Sequence, residues 1–184
     1  MKKSIFIVLL FMPFLWSCEQ DITDRKPVVR TFEQDGFRFT FSLQTEDGTN
    51  ATVFKEGEKM LPVYKVENLN ADTAYIAESY ADPCNYDTGF FNVYAASDNS
   101  EITYITMDVL TIVKPCLHIT PSGVVEYTVS PSAIQKSLDK GFYYVAFTPR
   151  FAYYSSCCHY SDSEGLDERI NIEIPEFKIN FEVK

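Results

Sequence analysis

From Val28 onward the apolar residues recur with a period of two. In Phe37-Arg38-Phe39-Thr40-Phe41-Ser42-Leu43 every odd position is apolar and every even position polar, the pattern of a half-buried strand. Glu46-Asp47-Gly48 ends that run with turn chemistry. The same reading predicts strands over 51–55, 60–68, 74–80, 90–95, 101–113, 117–120, 124–130, 142–153 and 169–183. Their separators are Glu56-Gly57, Asn70-Ala71-Asp72, Asp82-Pro83, Ser97-Asp98-Asn99, Pro121-Ser122-Gly123 and Lys140-Gly141.

The phase of the alternation predicts one irregularity. Ile170, Ile172 and Ile174 are apolar at even positions, whereas Phe177, Ile179, Phe181 and Val183 are apolar at odd ones, with Pro175 between. A period-two strand cannot turn both sets inward without an extra residue, so a bulge or bend is expected near Pro175. The segment 101–113 is apolar on both faces after Thr103 except at Asp108, which predicts a central strand or two shorter ones meeting there. Only 131–138 reads as helical, with Ser130 as cap, Pro131 in the first turn and Gly141 just past the end. One short helix among about ten strands rules out alternating βαβ units. The expected fold is therefore all-β: an antiparallel two-sheet sandwich with one short helix in a crossing connection.

The first residues do not share this pattern. Met1-Lys2-Lys3 is basic, Ser4 to Trp16 is almost wholly apolar, and Ser17-Cys18 follows. The run is shorter than the roughly 20 residues of a membrane span and reads as a secretory signal. Leu15-Trp16-Ser17-Cys18 resembles the lipobox of bacterial lipoproteins, with Trp16 where a smaller residue is usual. The resemblance implies lipid attachment at Cys18, a signal over residues 1–17, a flexible tether over 18–27 and one β domain over 28–184. It also implies a cell-envelope address, with acyl chains (palmitate among them) holding the domain to the outer membrane, at about 0.8 kcal/mol per buried CH₂. The acidic residues Glu19, Asp21 and Asp24 are similar to the tether of lipoproteins that Bacteroidota send to the cell surface.

Composition adds exclusions. The chain has 184 residues, 46% of them hydrophobic and 15% aromatic, with a formal net charge of −10. Loss of residues 1–17 would leave 167, and removal of Lys2 and Lys3 would take the charge to −12. Such a chain is foldable rather than disordered. Without a basic block it has no surface for nucleic acid. The segments Phe37 to Leu43, Phe54-Lys55-Glu56-Gly57-Glu58 leading into Val63 to Asn68, and Leu138 to Val145 resemble the immunoglobulin-like sandwiches of Bacteroidota envelope lipoproteins. That resemblance implies a fold and leaves the function open.

Five cysteines and two histidines limit the chemistry. With Cys18 assigned to lipid, Cys84, Cys116, Cys157 and Cys158 remain as disulfide candidates in an oxidising compartment. A bond between Cys157 and Cys158 would strain its ring, so Cys84 and Cys116 are expected to pair with one each. Cys116-Leu117-His118 and Cys157-Cys158-His159 could alternatively supply a Cys₂His₂ set for zinc, at a spacing shorter than the common motifs. Disulfides are preferred, and no metal or other cofactor is assigned. A Cys157–His159 nucleophile lacks an orienting third group. There is no Gly-x-Ser-x-Gly, His-Glu-x-x-His or phosphate-cradling loop, so no catalytic residue is assigned. The acidic loop carrying Asp162, Glu164, Asp167 and Glu168 lacks the spacing of an EF-hand and reads as a solvated turn.

The aromatics offer a route to binding. Phe151, Tyr153, Tyr154 and Tyr160 flank the adjacent cysteines and are the candidate ligand-binding side chains. Aromatics on strands ordinarily pack in the core, so only a contiguous exposed patch would mark these four as a ligand surface. Asp72-Thr73-Ala74 is similar to the short acceptor that Bacteroidota O-glycosylate, which makes Thr73 a modification candidate. Three functions follow: a non-catalytic, lipid-anchored envelope module binding a glycan or protein; an envelope structural or assembly component, such as a pilus-associated subunit; and a hydrolase with scattered carboxylates or a Cys/His pair. The first is preferred on the lipobox-like segment, the all-β pattern and the absence of catalytic motifs.

Overall fold

The computed structural model describes residues 28–76, 92–102, 105–106, 117–128, 134–156 and 169–184. Among them all regular structure is β. A first sheet has the order β1-β2-β4-β10, with β1 Arg30–Gln34, β2 Phe37–Gln44, β4 Leu61–Asn68 and β10 Val124–Thr128, all antiparallel. A second sheet has the order β3-β15-β12-β6-β7, built from β3 Val53–Phe54, β15 Phe177–Val183, β12 Gly141–Phe147, β6 Asn92–Ala95 and β7 Glu101–Ile102. Only β3 runs parallel to its neighbour. A third sheet, β14-β13-β5-β9, joins β14 Ile170–Glu173, β13 Arg150–Tyr154, β5 Ala74–Ile76 and β9 His118–Ile119. A two-stranded pair links β8 Ile105–Thr106 to β11 Ile134–Gln135.

The second and third sheets are continuous along their central ribbon. Phe147 pairs with Phe177 at the end of β12, and Arg150 pairs with Glu173 at the start of β13. The chain thus advances three residues on one side and four on the other. The surplus residue falls in Ile174-Pro175-Glu176, which is the bulge that the shift of apolar parity predicts. It lets Ile172 and Ile174 be buried on one side of the proline and Phe177, Ile179 and Phe181 on the other. Pro149 interrupts the expected single strand over 142–153, because it has no N–H to give the ladder.

Sheet one covers this ribbon. The Phe37 ring lies 4.9 Å from Phe151 and 4.8 Å from Tyr153, Phe39 lies 5.2 Å from Phe151, and Phe41 lies 4.7 Å from Phe147. These centroid distances are those of tilted and edge-to-face aromatic pairs, which add to the burial of the rings themselves. The strict alternation of β2 thus becomes one face of a core shared by the layers, and the arrangement fits a β-sandwich.

A buried amide joins the layers. Asn68 is fully buried at the end of β4, where the chain leaves the first sheet for β5 in the third. Its Nδ2 donates to the carbonyls of Asp72 (2.8 Å) and Ile119 (2.9 Å), and its Oδ1 accepts from the Asn70 N–H (3.0 Å). Asn70 Nδ2 in turn donates to the carbonyls of Asp35 and Gly36, each at 3.2 Å. Asp35 and Gly36 both have positive φ, 51° and 73°, as a two-residue type I′ hairpin requires. A Cβ on Gly36 would come 2.0 Å from Asn70 Oδ1, so glycine is needed there for space as well as for conformation.

Two elements differ from expectation. β1 is absent from the predicted strands, although Asp35-Gly36 ahead of β2 is a strong hairpin signal. The expected helix over 131–138 is corrected within its described part: Ile134–Gln135 is a strand paired with β8, and 136–138 is irregular. Eight residues make little more than two helical turns, too few to be stable without a packed face, and strand pairing satisfies the same backbone groups.

Candidate functional site

Among the described residues, the sequence-predicted aromatics Phe151, Tyr153 and Tyr154 do not form one exposed surface. Phe151 is only 2% exposed and packs against Phe37 and Phe39, so it belongs to the core and is withdrawn as a ligand-binding candidate. Tyr153 is half-buried on the same inner side, and burial, then the Asp35 charge, pushes its phenol up from its ordinary value. Tyr154 is half-buried and faces the opposite way, level with Tyr75 in the register, which in turn is level with the exposed His118. The Tyr75 and His118 rings are 6.1 Å apart. Thr73 is half-buried at the entry to β5. Cys18, Cys84, Cys116, Cys157, Cys158, His159, Tyr160 and the acidic loop over 162–168 lie outside the described residues. Among the described residues no three His, Cys, Asp or Glu side chains gather as a metal site.

The structure presents a different aromatic face, on the outside of the second sheet. Tyr143 and Val145 point into the core from β12, as do Ile179, Phe181 and Val183 from β15 and Val93 from β6. Strand geometry therefore sends Phe142, Tyr144, Lys178, Asn180, Asn92 and Tyr94 the other way. The register lines up Asn180, Tyr144, Tyr94 and Glu101 across four strands. A second row lines up Val53, Glu182 and Phe142.

These side chains hold one another. The Tyr94 and Tyr144 rings stack at 4.9 Å and 17°, a cross-strand aromatic pair. Lys178 reaches over the Tyr144 ring from the other neighbouring strand, its Nζ 3.7 Å from the centroid. Asn92 Nδ2 donates to the Tyr94 hydroxyl at 3.2 Å, and the Tyr144 hydroxyl donates to Asn99 Oδ1 at 3.1 Å. Asn99 is held with φ 59° in a turn that the preceding Asp98 carboxylate closes by accepting from the Ser100 N–H at 2.9 Å. That turn places an amide oxygen beside the sheet. Phe142 is 57% exposed, the most exposed large apolar side chain among the described residues.

The arrangement offers several groups that a ligand could engage. Both faces of the Tyr144 ring are engaged, by Tyr94 on one side and Lys178 on the other, so the ladder offers ring edges and hydroxyls. Phe142 supplies an open ring. Amides at 92, 99 and 180 supply groups that both donate and accept hydrogen bonds. The signal for this face lies in Phe142-Tyr143-Tyr144-Val145: with Tyr143 and Val145 inward, the two neighbouring aromatics must be outward. No protein-family model matches the chain, and no curated protein matches it, so the functional reading rests on the residues themselves.

Proposed function

We propose that the chain is a lipid-anchored, non-catalytic binding module of the cell envelope. Acyl chains on Cys18 hold it to the outer membrane, and the outer face of the second sheet engages a glycan or an envelope protein. Within the all-β fold we assign the immunoglobulin-like sandwich of Bacteroidota-type lipoproteins, with Cys84, Cys116, Cys157 and Cys158 as disulfides and Thr73 as an O-glycan acceptor. The basic start, apolar run and Cys18 support the anchor. Phe142 carries the binding reading: it is 57% exposed on the face that holds the Tyr94–Tyr144 stack, on a sheet whose other side packs into the core. An exposed aromatic ring among ordered tyrosines and amides contributes nothing to that core and is the kind of anchor that binding surfaces use.

Two experiments test the proposal. Metabolic acyl labelling should mark the wild-type chain and leave Cys18→Ala unmarked; equal labelling would refute the anchor. Retention of envelope carbohydrate or protein by the purified chain should be lost in Phe142→Ala. Equal retention by wild type and variant would refute this face as the binding surface.

A further inference from the structure

We infer that the ligand of this face is a neutral glycan chain, a step that rests on the binding-module reading above. Charge gives the first reason. Two cations lie along and just past β15 on this face, and both are engaged: Lys178 Nζ sits 3.7 Å from the Tyr144 ring centroid, and Lys184 Nζ lies 3.7 Å from the Glu182 carboxylate. Glu101, level with Tyr94, adds negative charge, within a chain of net charge −10. A polyanion needs clustered Lys and Arg, whereas these two cations are spaced along one strand and already engaged. What the face leaves for a ligand is neutral and bifunctional: the amides of Asn92, Asn99 and Asn180 and the hydroxyls of Tyr94 and Tyr144. Such groups match sugar hydroxyls, which also donate and accept.

Ring geometry gives the second reason. With Tyr144 covered on both sides, Phe142 is the most exposed ring of this face, and one open ring suits the C–H face of a single pyranose. The hydroxyl-bearing edges then lie one strand position away: residues two apart on β12 are separated by about 7 Å, within the span of one to two sugar units. A protein partner would instead need an apolar patch forming the core of about 800 Å² per side. On this face the strongly exposed large apolar side chains among the described residues are Phe142 and Val53.

The test uses the full-length lipidated chain in detergent, in calorimetry against two sets of probes. The neutral set is cellohexaose, maltoheptaose, mannohexaose and a galactan oligosaccharide; the acidic set is oligogalacturonate and chondroitin sulfate. A parallel pull-down uses solubilised envelope proteins. The expected result is binding of at least one neutral probe, with an affinity little changed between low and high salt. Phe142→Ala should weaken it at least about tenfold and Asn180→Ala about threefold, while Val124→Ser, on the first sheet, should leave it unchanged. Preference for an acidic probe, or for a protein, that Phe142→Ala abolishes would overturn the neutral-glycan inference and leave the binding-module reading standing. Absence of binding in every arm would overturn both.

Discussion

The two outer faces of the sandwich differ in what occupies them. On the first sheet the outward row is charged: Arg38 bridges Glu33 at 2.6 Å and Glu67 at 2.8 Å, and Lys65 pairs with Glu126 at 2.6 Å. The Arg38 guanidinium is pushed further up by Glu33, then Glu67. On the second sheet the outward strand positions carry Phe142, Tyr144, Tyr94, Asn92 and Asn180 among the charged Lys178, Glu182 and Glu101. Both faces are built by period-two strands over one core, so the fold alone does not demand aromatics on either. The contrast teaches that one core can be finished outward in two ways, by cross-strand ion pairs or by a cross-strand aromatic ladder, and that Phe142, which stands open beyond the ladder, is the side chain whose role folding explains least.

The comparison can be broken first from beneath. Phe39 lies in the layer common to both faces, and Phe39→Ala should cost about 3–5 kcal/mol, measured by urea denaturation. A cost below about 1 kcal/mol would mean that the layers are not packed as described. Asn68→Ala should follow at about 2–3 kcal/mol, because it leaves the carbonyls of Asp72 and Ile119 and the N–H of Asn70 without their buried partner. Asn68→Asp should be no milder, since a carboxylate cannot donate to those two carbonyls.

A smaller effect of opposite sign is expected at Tyr64. Its side chain is 1% exposed and its hydroxyl has no hydrogen-bond partner among the described residues, so Tyr64→Phe should stabilise by about 1 kcal/mol. Burial, then the neighbouring Tyr127, holds the Tyr64 phenol well above its ordinary value. Because the folded state keeps this proton and the unfolded chain releases it near pH 10, the associated stability is complete below that pH and falls as pH rises above it. The urea midpoint should be level from pH 7 to 9 and drop beyond 10, and Tyr64→Phe should flatten the drop. An identical alkaline slope in both proteins would contradict the assignment.

The smallest effects on folding should come from the outer faces. Lys178→Ala removes a surface cation over an aromatic ring and should cost about 0.5–1 kcal/mol. Arg38→Ala should shift the midpoint slightly at low salt and not at high salt, since exposed ion pairs are screened. A large loss of stability at either position would erase the distinction between solvated face and core.

Much of this architecture is legible in the sequence, and the failures have physical causes. The alternation of Phe37, Phe39, Phe41 and Leu43 fixes the inner face of β2, and the parity change across Pro175 locates the bulge to within the segment where the register gains its residue. Parity was also sufficient for Phe151 and Tyr153: both share the odd phase of Tyr143 and Val145, which turns them inward. For Phe151, phase along the strand outweighs nearness in sequence to the adjacent cysteines. β1 has a single apolar anchor, Phe32, whose ring lies 6.2 Å from Phe39, too little alternation to be seen without the hairpin turn beside it. The segment 134–138 shows the converse, local helical propensity overridden by pairing with a distant strand. The ladder of Lys178, Tyr144 and Tyr94 could not be read at all, because it depends on the order β15-β12-β6, which no local pattern encodes.

The central claim is that Phe142 serves binding and not folding. Its most direct test is to measure urea denaturation and retention of envelope ligand on the same preparation of Phe142→Ala beside the wild-type chain. The account predicts a midpoint unchanged to within about 0.5 kcal/mol together with at least a tenfold loss of retention. Retention that survives the substitution, or that falls only in step with stability, would contradict it.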